Sequence, residues 1–184
     1  MAKQFPALSD AHRDFIARQH VFFTATATAD SRINISPREI GALRVVDAST
    51  AIYLDRTGSG METAAHLRAD GRMTIMLCSF HGPPQIMRLY GHGETLRHDS
   101  TAFGALHASH FGATPPLGAR QIVRLAIDLV QTSCGYGVPL LDYSGERQAM
   151  ENWHDAKGEG GIKAYWRAEN RESIDGLATG FCDP

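Results

Sequence analysis

Arg32, Asn34, Ser36 and Arg38 stand two residues apart, and a period of two places them on one face of a strand. Two guanidiniums, an amide and a hydroxyl make a row of hydrogen-bond donors, and the arginine fork matches the paired oxygens of a phosphate. The alternative for such a row is a solvated outer face. Further along, Tyr53-Leu54-Asp55-Arg56-Thr57-Gly58-Ser59-Gly60-Met61-Glu62-Thr63 reads as a strand end, a glycine-bearing loop and a helix start. Ser59 with Glu62 three residues later predicts a capping box, and Gly71 suits the left-handed residue that closes a helix. The first amides of that helix and the positive end of its dipole then face the loop, a ready place for an anion. Without a ligand the same loop is a plain tight connection. If the hairpin row and this loop lie side by side, guanidiniums, hydroxyls and helix amides converge on one anionic group.

Other candidate chemistry is weaker. His107 and His110 have helical spacing but no acidic or cysteine partner nearby in sequence, so a solvated helix face is preferred to a metal site. Cys134, in Ser133-Cys134-Gly135-Tyr136-Gly137, reads as a small buried residue rather than a reactive thiol, because no charged neighbour would lower its pKa. Trp153 and Trp166 could cover a planar ligand, though packing is the simpler role. The chain holds no Gly-x-Ser-x-Gly elbow, no phosphate loop ending in Gly-Lys-Ser/Thr and no Gly-x-Gly-x-x-Gly. No residue stands out as a catalytic acid or base.

The elements that must position these groups are mostly strands. Ser9 caps a helix over residues 10–19, with Phe15 and Ile16 inward. Residues 21–28 alternate β-branched or aromatic with small residues and turn at Ala29-Asp30-Ser31 into the strand of Arg32–Ser36, which Pro37 should end. Residues 41–46 and 50–54 pair next. After the helix come a buried strand over 72–80 and a long strand over 85–97, in which Gly91 and Gly93 suggest a bulge. Ser100 caps a helix to about His110. Val123, Leu125, Ile127 and Leu129 then alternate along a final strand. Six or seven hairpin-connected antiparallel strands with few helices predict a mainly β, α+β barrel with helices packed outside. The 184 residues suit one domain, with the 158–184 tail, which carries Trp166 and Phe181, packing onto it.

A net charge of −2 offers no case for nucleic acid or an anionic membrane as partner. No apolar run reaches the ~20 residues of a membrane span. The three cysteines lack metal-ligand spacing, and their odd number argues against a disulfide framework. The expectation is a reduced, cytoplasmic protein.

Several parts in one order resemble the pyridoxamine 5′-phosphate oxidase-like family of FMN-binding split barrels: Phe22-Phe23-Thr24-Ala25-Thr26, the run Arg32–Arg38, Tyr53–Gly58, Thr63-Ala64-Ala65-His66-Leu67 and Arg88-Leu89-Tyr90-Gly91-His92-Gly93. Ser133–Pro139 and Ser173-Ile174-Asp175-Gly176-Leu177 look like marks of a subgroup of that family. The resemblance implies an FMN-dependent oxidoreductase acting on a small molecule, and a homodimer with two FMN sites at its interface. It implies cofactor contacts from Arg32, Ile33, Asn34, Ser36, Pro37 and Arg38. Further contacts come from the loop and helix at Asp55, Thr57, Gly58, Ser59, Met61, Glu62 and Thr63, and from Gln85 and Arg88 of the other subunit. The oxidase's Ser-Arg-Lys cluster is replaced by Met61, Glu62 and Thr63, with Arg38 or Arg56 left to compensate. Its C-terminal Arg-Leu-His-Asp-Arg substrate segment is absent. A relative of the oxidase is therefore implied rather than the oxidase itself. The alternatives are a related barrel using deazaflavin or haem, and a non-enzymatic flavin-binding module.

Overall fold

The computed structural model describes residues 2–181. The chain opens with β1 (Lys3–Phe5) and α1 (Asp10–Ala17), then the hairpin of β2 (Val21–Thr26) and β3 (Asn34–Glu39). A 3-10 turn at Ile40–Ala42 leads to β4 (Leu43–Val45) and β5 (Thr50–Arg56), followed by α2 (Glu62–Ala69) and β6 (Arg72–Cys78). The long strands β7 (Ile86–Arg97) and β8 (Ala119–Ser133) flank α3 (Thr101–His110), and α4 (Ala149–Glu169) follows. Seven strands form one path, β3-β2-β6-β7-β8-β5-β4, with β1 added on β8. Every pairing is antiparallel. The result is the expected mainly β split barrel with helices outside. No helix among the described residues is long and apolar enough to cross a membrane.

Period-two burial builds the interior. Phe22, Ile75, Leu77, Met87, Leu89, Tyr53, Val123 and Leu125 meet inside the barrel. A second cluster, Ile52, Leu54, Ile122 and Phe103, lies under α3. A third joins Met61 and Ala64 to Ile162, Trp166 and Phe181. Ser9 caps α1, its hydroxyl accepting from the His12 amide, and Ser100 caps α3 through the Phe103 amide. Gly71 follows α2 at φ +85.

Several expectations need correction. Pro37 does not end its strand: β3 runs on to Glu39 and pairs Pro37 with Phe23. β3 is the last strand of the path, so the missing donor falls on an edge, where proline is tolerated. The β8 alternation changes phase at a bulge opposite Tyr90 and Gly91; Val130 is buried and Leu129 only half-buried. His107 is buried beside Phe103 and Phe111 instead of lying on a solvated face. Cys134 is exposed, not buried; Cys182 lies outside the described residues. The run Gly158–Gly161 sits within α4, which kinks at Gly158, where φ is +63.

Candidate functional site

β3 faces the barrel mouth with Asn34, Ser36 and Arg38, all half-buried. Asn34 Nδ2 donates to Thr26 Oγ1 at 3.3 Å and to Thr63 Oγ1 at 3.1 Å. Ser36 Oγ donates to Asn34 Oδ1. Arg38 Nη1 reaches Asp55 Oδ1 at 2.7 Å, and its guanidinium lies 4.7 Å over the Tyr53 ring. The hairpin row and the Asp55–Thr63 segment therefore do meet. Asp55 is 1% exposed and also accepts from Arg120 Nε at 2.7 Å and Gln121 Nε2 at 2.8 Å. Burial alone would push the pKa of this carboxyl up. The guanidinium of Arg120, then that of Arg38, outweighs it and holds the pKa below the usual carboxylate range.

The glycine loop departs from expectation. Its helix begins after Met61 with no side-chain cap, and Ser59 is exposed, so the capping box is absent. The loop instead turns its carbonyls onto buried donors. Arg120 donates to the Gly58 oxygen at 3.2 Å and the Gly60 oxygen at 2.8 Å. Asn170 Nδ2 donates to the oxygens of Gly58 and Ser59. Thr57 Oγ1 donates to Gly118 O and accepts from Trp166 Nε1 at 2.7 Å. Met61 is buried beneath α4, its sulfur near Gln121. The Glu62 carboxylate folds back beside Gly60 at the helix opening and accepts from the Ile174 amide.

The remaining predicted residues are scattered by the fold. Arg32 and Ile33 precede β3 and are exposed. The backbone amide and the guanidinium of Arg32 both engage Asp175. Gln85 lies before β7, its carbonyl bound by the Ser79 amide. Arg88 points to Ser133 Oγ; neither joins the Asn34–Thr63 cluster. Pro37, Arg38, Arg56 and Gln85 instead line a cavity of about 1350 Å³ between the barrel and the 141–151 segment, walled also by Phe80 and Tyr143. Behind Arg56, His154 is fully buried; its Nε2 donates to Thr57 O and its Nδ1 accepts from Arg56 Nη2 at 3.0 Å. Burial first, and the Arg56 charge after it, hold its pKa below the ordinary value.

Arg120, Asn170, His154 and Asp175 were not singled out as site residues from sequence. Their partners lie dozens of positions away, and only the register of β5 on β8, which sets Asp55 opposite Gln121, brings Arg120 to the loop. Asp175 alone carried a signal, the Ser-Ile-Asp-Gly turn.

An antiparallel barrel with a polar row on an edge hairpin and an adjoining cavity places the chain in the split-barrel class. Residues 8–134 match the family model described as pyridoxamine 5′-phosphate oxidase, and the chain belongs to that family. An Aspergillus flavus protein, the pyridoxamine 5′-phosphate oxidase family protein ustO, is 39% identical over 150 residues, covering 80% of this chain. The chain spans about 60% of that relative's length. HupZ of Group A Streptococcus shares the fold at TM-score 0.53 and 19% identity, over 66% of this chain and 91% of its own. A Lactobacillus delbrueckii protein does so at TM-score 0.52 and 18% identity, over 68% and 94%.

Proposed function

We propose that this chain is an FMN-dependent oxidoreductase that works as a homodimer on a small molecule other than pyridoxamine phosphate. The observation that carries this reading is the convergence of Asn34, Ser36 and Arg38 on Thr63 and Asp55 beside a cavity of about 1350 Å³. The donor set suits a flavin ring, whose carbonyls and ring nitrogens accept hydrogen bonds. The cavity walls offer Phe80, Tyr143 and Leu54 to a planar apolar face.

Each residue has a task of its own. Arg38, fixed by Asp55 and Tyr53, presents a positioned cation at the cavity. Asn34, bonded to Thr63, and Ser36, which donates to Asn34, are held in one orientation. Asp55 keeps Arg38 in place and stays ionised between its two arginines. A bound flavin would supply the redox chemistry itself. The residues would fit the ring end of such a group better than its phosphate end, which would meet the carboxylates of Glu62 and Asp175 if it lay toward Arg32.

The test is the visible spectrum of freshly purified protein. A flavin band, released on denaturation and identified as FMN by mass, is the expected result. Colourless protein that also fails to quench added FMN fluorescence sinks the reading, and preferential uptake of haem or deazaflavin replaces it with the corresponding barrel.

A further inference from the structure

Asp175 stands at the tip of a small hairpin. Glu172 and Ala178 bridge its arms, Ser173 Oγ accepts from the amides of Asp175 and Leu177, and Gly176 turns at φ +76. The base of this hairpin is fixed by buried Asn170, Ser173, Thr179 and Phe181, while the tip beside Asp175 is exposed. The carboxylate is therefore presented by a defined turn rather than by a loose side chain. It takes both the backbone amide and the guanidinium of Arg32.

Two further groups surround it. His66, 1% exposed, bonds Thr26 through Nδ1 and leaves Nε2 without a partner among the described residues. It lies close enough to Asp175 to count, last and weakest, among the groups that hold that carboxyl below its ordinary value. Glu62, anchored by the neighbouring Ile174 amide, places a second carboxylate at the opening of α2. A guanidinium, backbone amides and a buried imidazole are what an anion requires. Here the chain's own carboxylates already occupy that end.

We propose that Asp175 is a specificity-determining residue, a built-in counter-anion seated where the phosphate of a bound flavin would lie. The proposal rests on the flavin reading above. A phosphorylated cofactor must displace Asp175 from Arg32, so the phosphate adds little to affinity in the native chain. Neutralising Asp175 frees Arg32 and lets the phosphate contribute.

The experiment compares FMN with riboflavin, which differ only by that phosphate, on the native protein, Asp175→Asn and Asp175→Ala, by fluorescence quenching. The native protein should bind the two flavins within about threefold of each other. Both variants should bind FMN about tenfold more tightly, the scale of one charge-assisted hydrogen bond, with riboflavin unchanged. Native protein that already prefers FMN about tenfold, with variants that change nothing, overturns the proposal. If no protein binds either flavin, the flavin reading falls, and inorganic phosphate then tests the seat by itself. A thermal shift with phosphate in Asp175→Asn but not in the native chain retains the anion seat; no shift in either removes it. Because the Asp175 carboxylate is bound to the exposed Arg32 rather than to the core, circular dichroism should find the variants folded as the native chain.

Discussion

Asp55 is the most constrained ion of the site, bonded by Arg120, Arg38 and Gln121 inside the fold. Arg120 does more than balance it, since the same guanidinium fixes the carbonyls of Gly58 and Gly60 and meets Asn170. Arg120→Met should therefore cost about 3–5 kcal/mol, the penalty of leaving a buried charge half-compensated. Urea denaturation reads it, and a loss under about 1 kcal/mol would show that Arg38 alone suffices. Protons report on the same region. His154 has its folded pKa lowered by burial, so its ordinary value near ~6.5 is met first by the unfolded chain. Stability is complete above that pH and falls as pH drops from ~6.5 toward the folded value, because the unfolded chain takes up a proton that the fold refuses. His12, also lowered by burial, acts in the same direction. Asp55, lowered as well, contributes above ~3.9 and loses that contribution only as pH falls through its still lower folded value. Thermal melts across pH should show two acid phases. His154→Gln should shrink the upper one and spare the lower; an unchanged upper phase would assign it to other groups.

The strands show which parts of the chain are legible locally. Alternation over Val21–Thr26 and the row Asn34, Ser36 and Arg38 placed the hairpin face correctly, because side-chain direction on a strand depends only on position parity. Pro37 misled because edge or centre is a property of the sheet, set by distant pairings. The absent cap at Ser59 has the same origin. Local chemistry favoured it, but Arg120 and Asn170 draw the loop carbonyls inward from residues dozens of positions away. Gly91 is the counter-example, since a glycine inside a strand pattern is itself a sign of a bulge. It sits at the register shift between β7 and β8, and a Cβ there would overlap the Ala126 carbonyl oxygen. That contact is backbone and cannot rotate away. Gly91→Ala should thus cost more than the ~3 kcal/mol that bounds most substitutions, read as a lowered denaturation midpoint. Gly41, which a Cβ would leave in open space, is the control, and equal losses at the two positions would refute the packing explanation.

At the scale of the whole molecule, the exposed apolar surface is unevenly placed. Ile33 is 73% exposed, Ile35 66% and Ile174 73%. The first two lie on or beside β3, which ends the strand path, and the third adjoins Asp175, which touches Arg32. Isolated exposed isoleucines need no explanation, but two at an unpaired edge with a third beside them are the surface on which the proposed dimer would close. The same edge carries the polar row on its other face, so a second copy seated there would close the proposed flavin seat from outside. That arrangement also gives Gln85 and Arg88, which stand apart from the cluster within one protomer, a route to it across an interface. The expected solution state is a dimer at micromolar concentration by sedimentation equilibrium. Ile35→Asp, which puts a charge on that edge without touching the inward row, should halve the mass and weaken flavin binding together. A variant that stays dimeric moves the interface elsewhere, and a monomeric native protein with undiminished flavin affinity would mean that one barrel builds its seat alone.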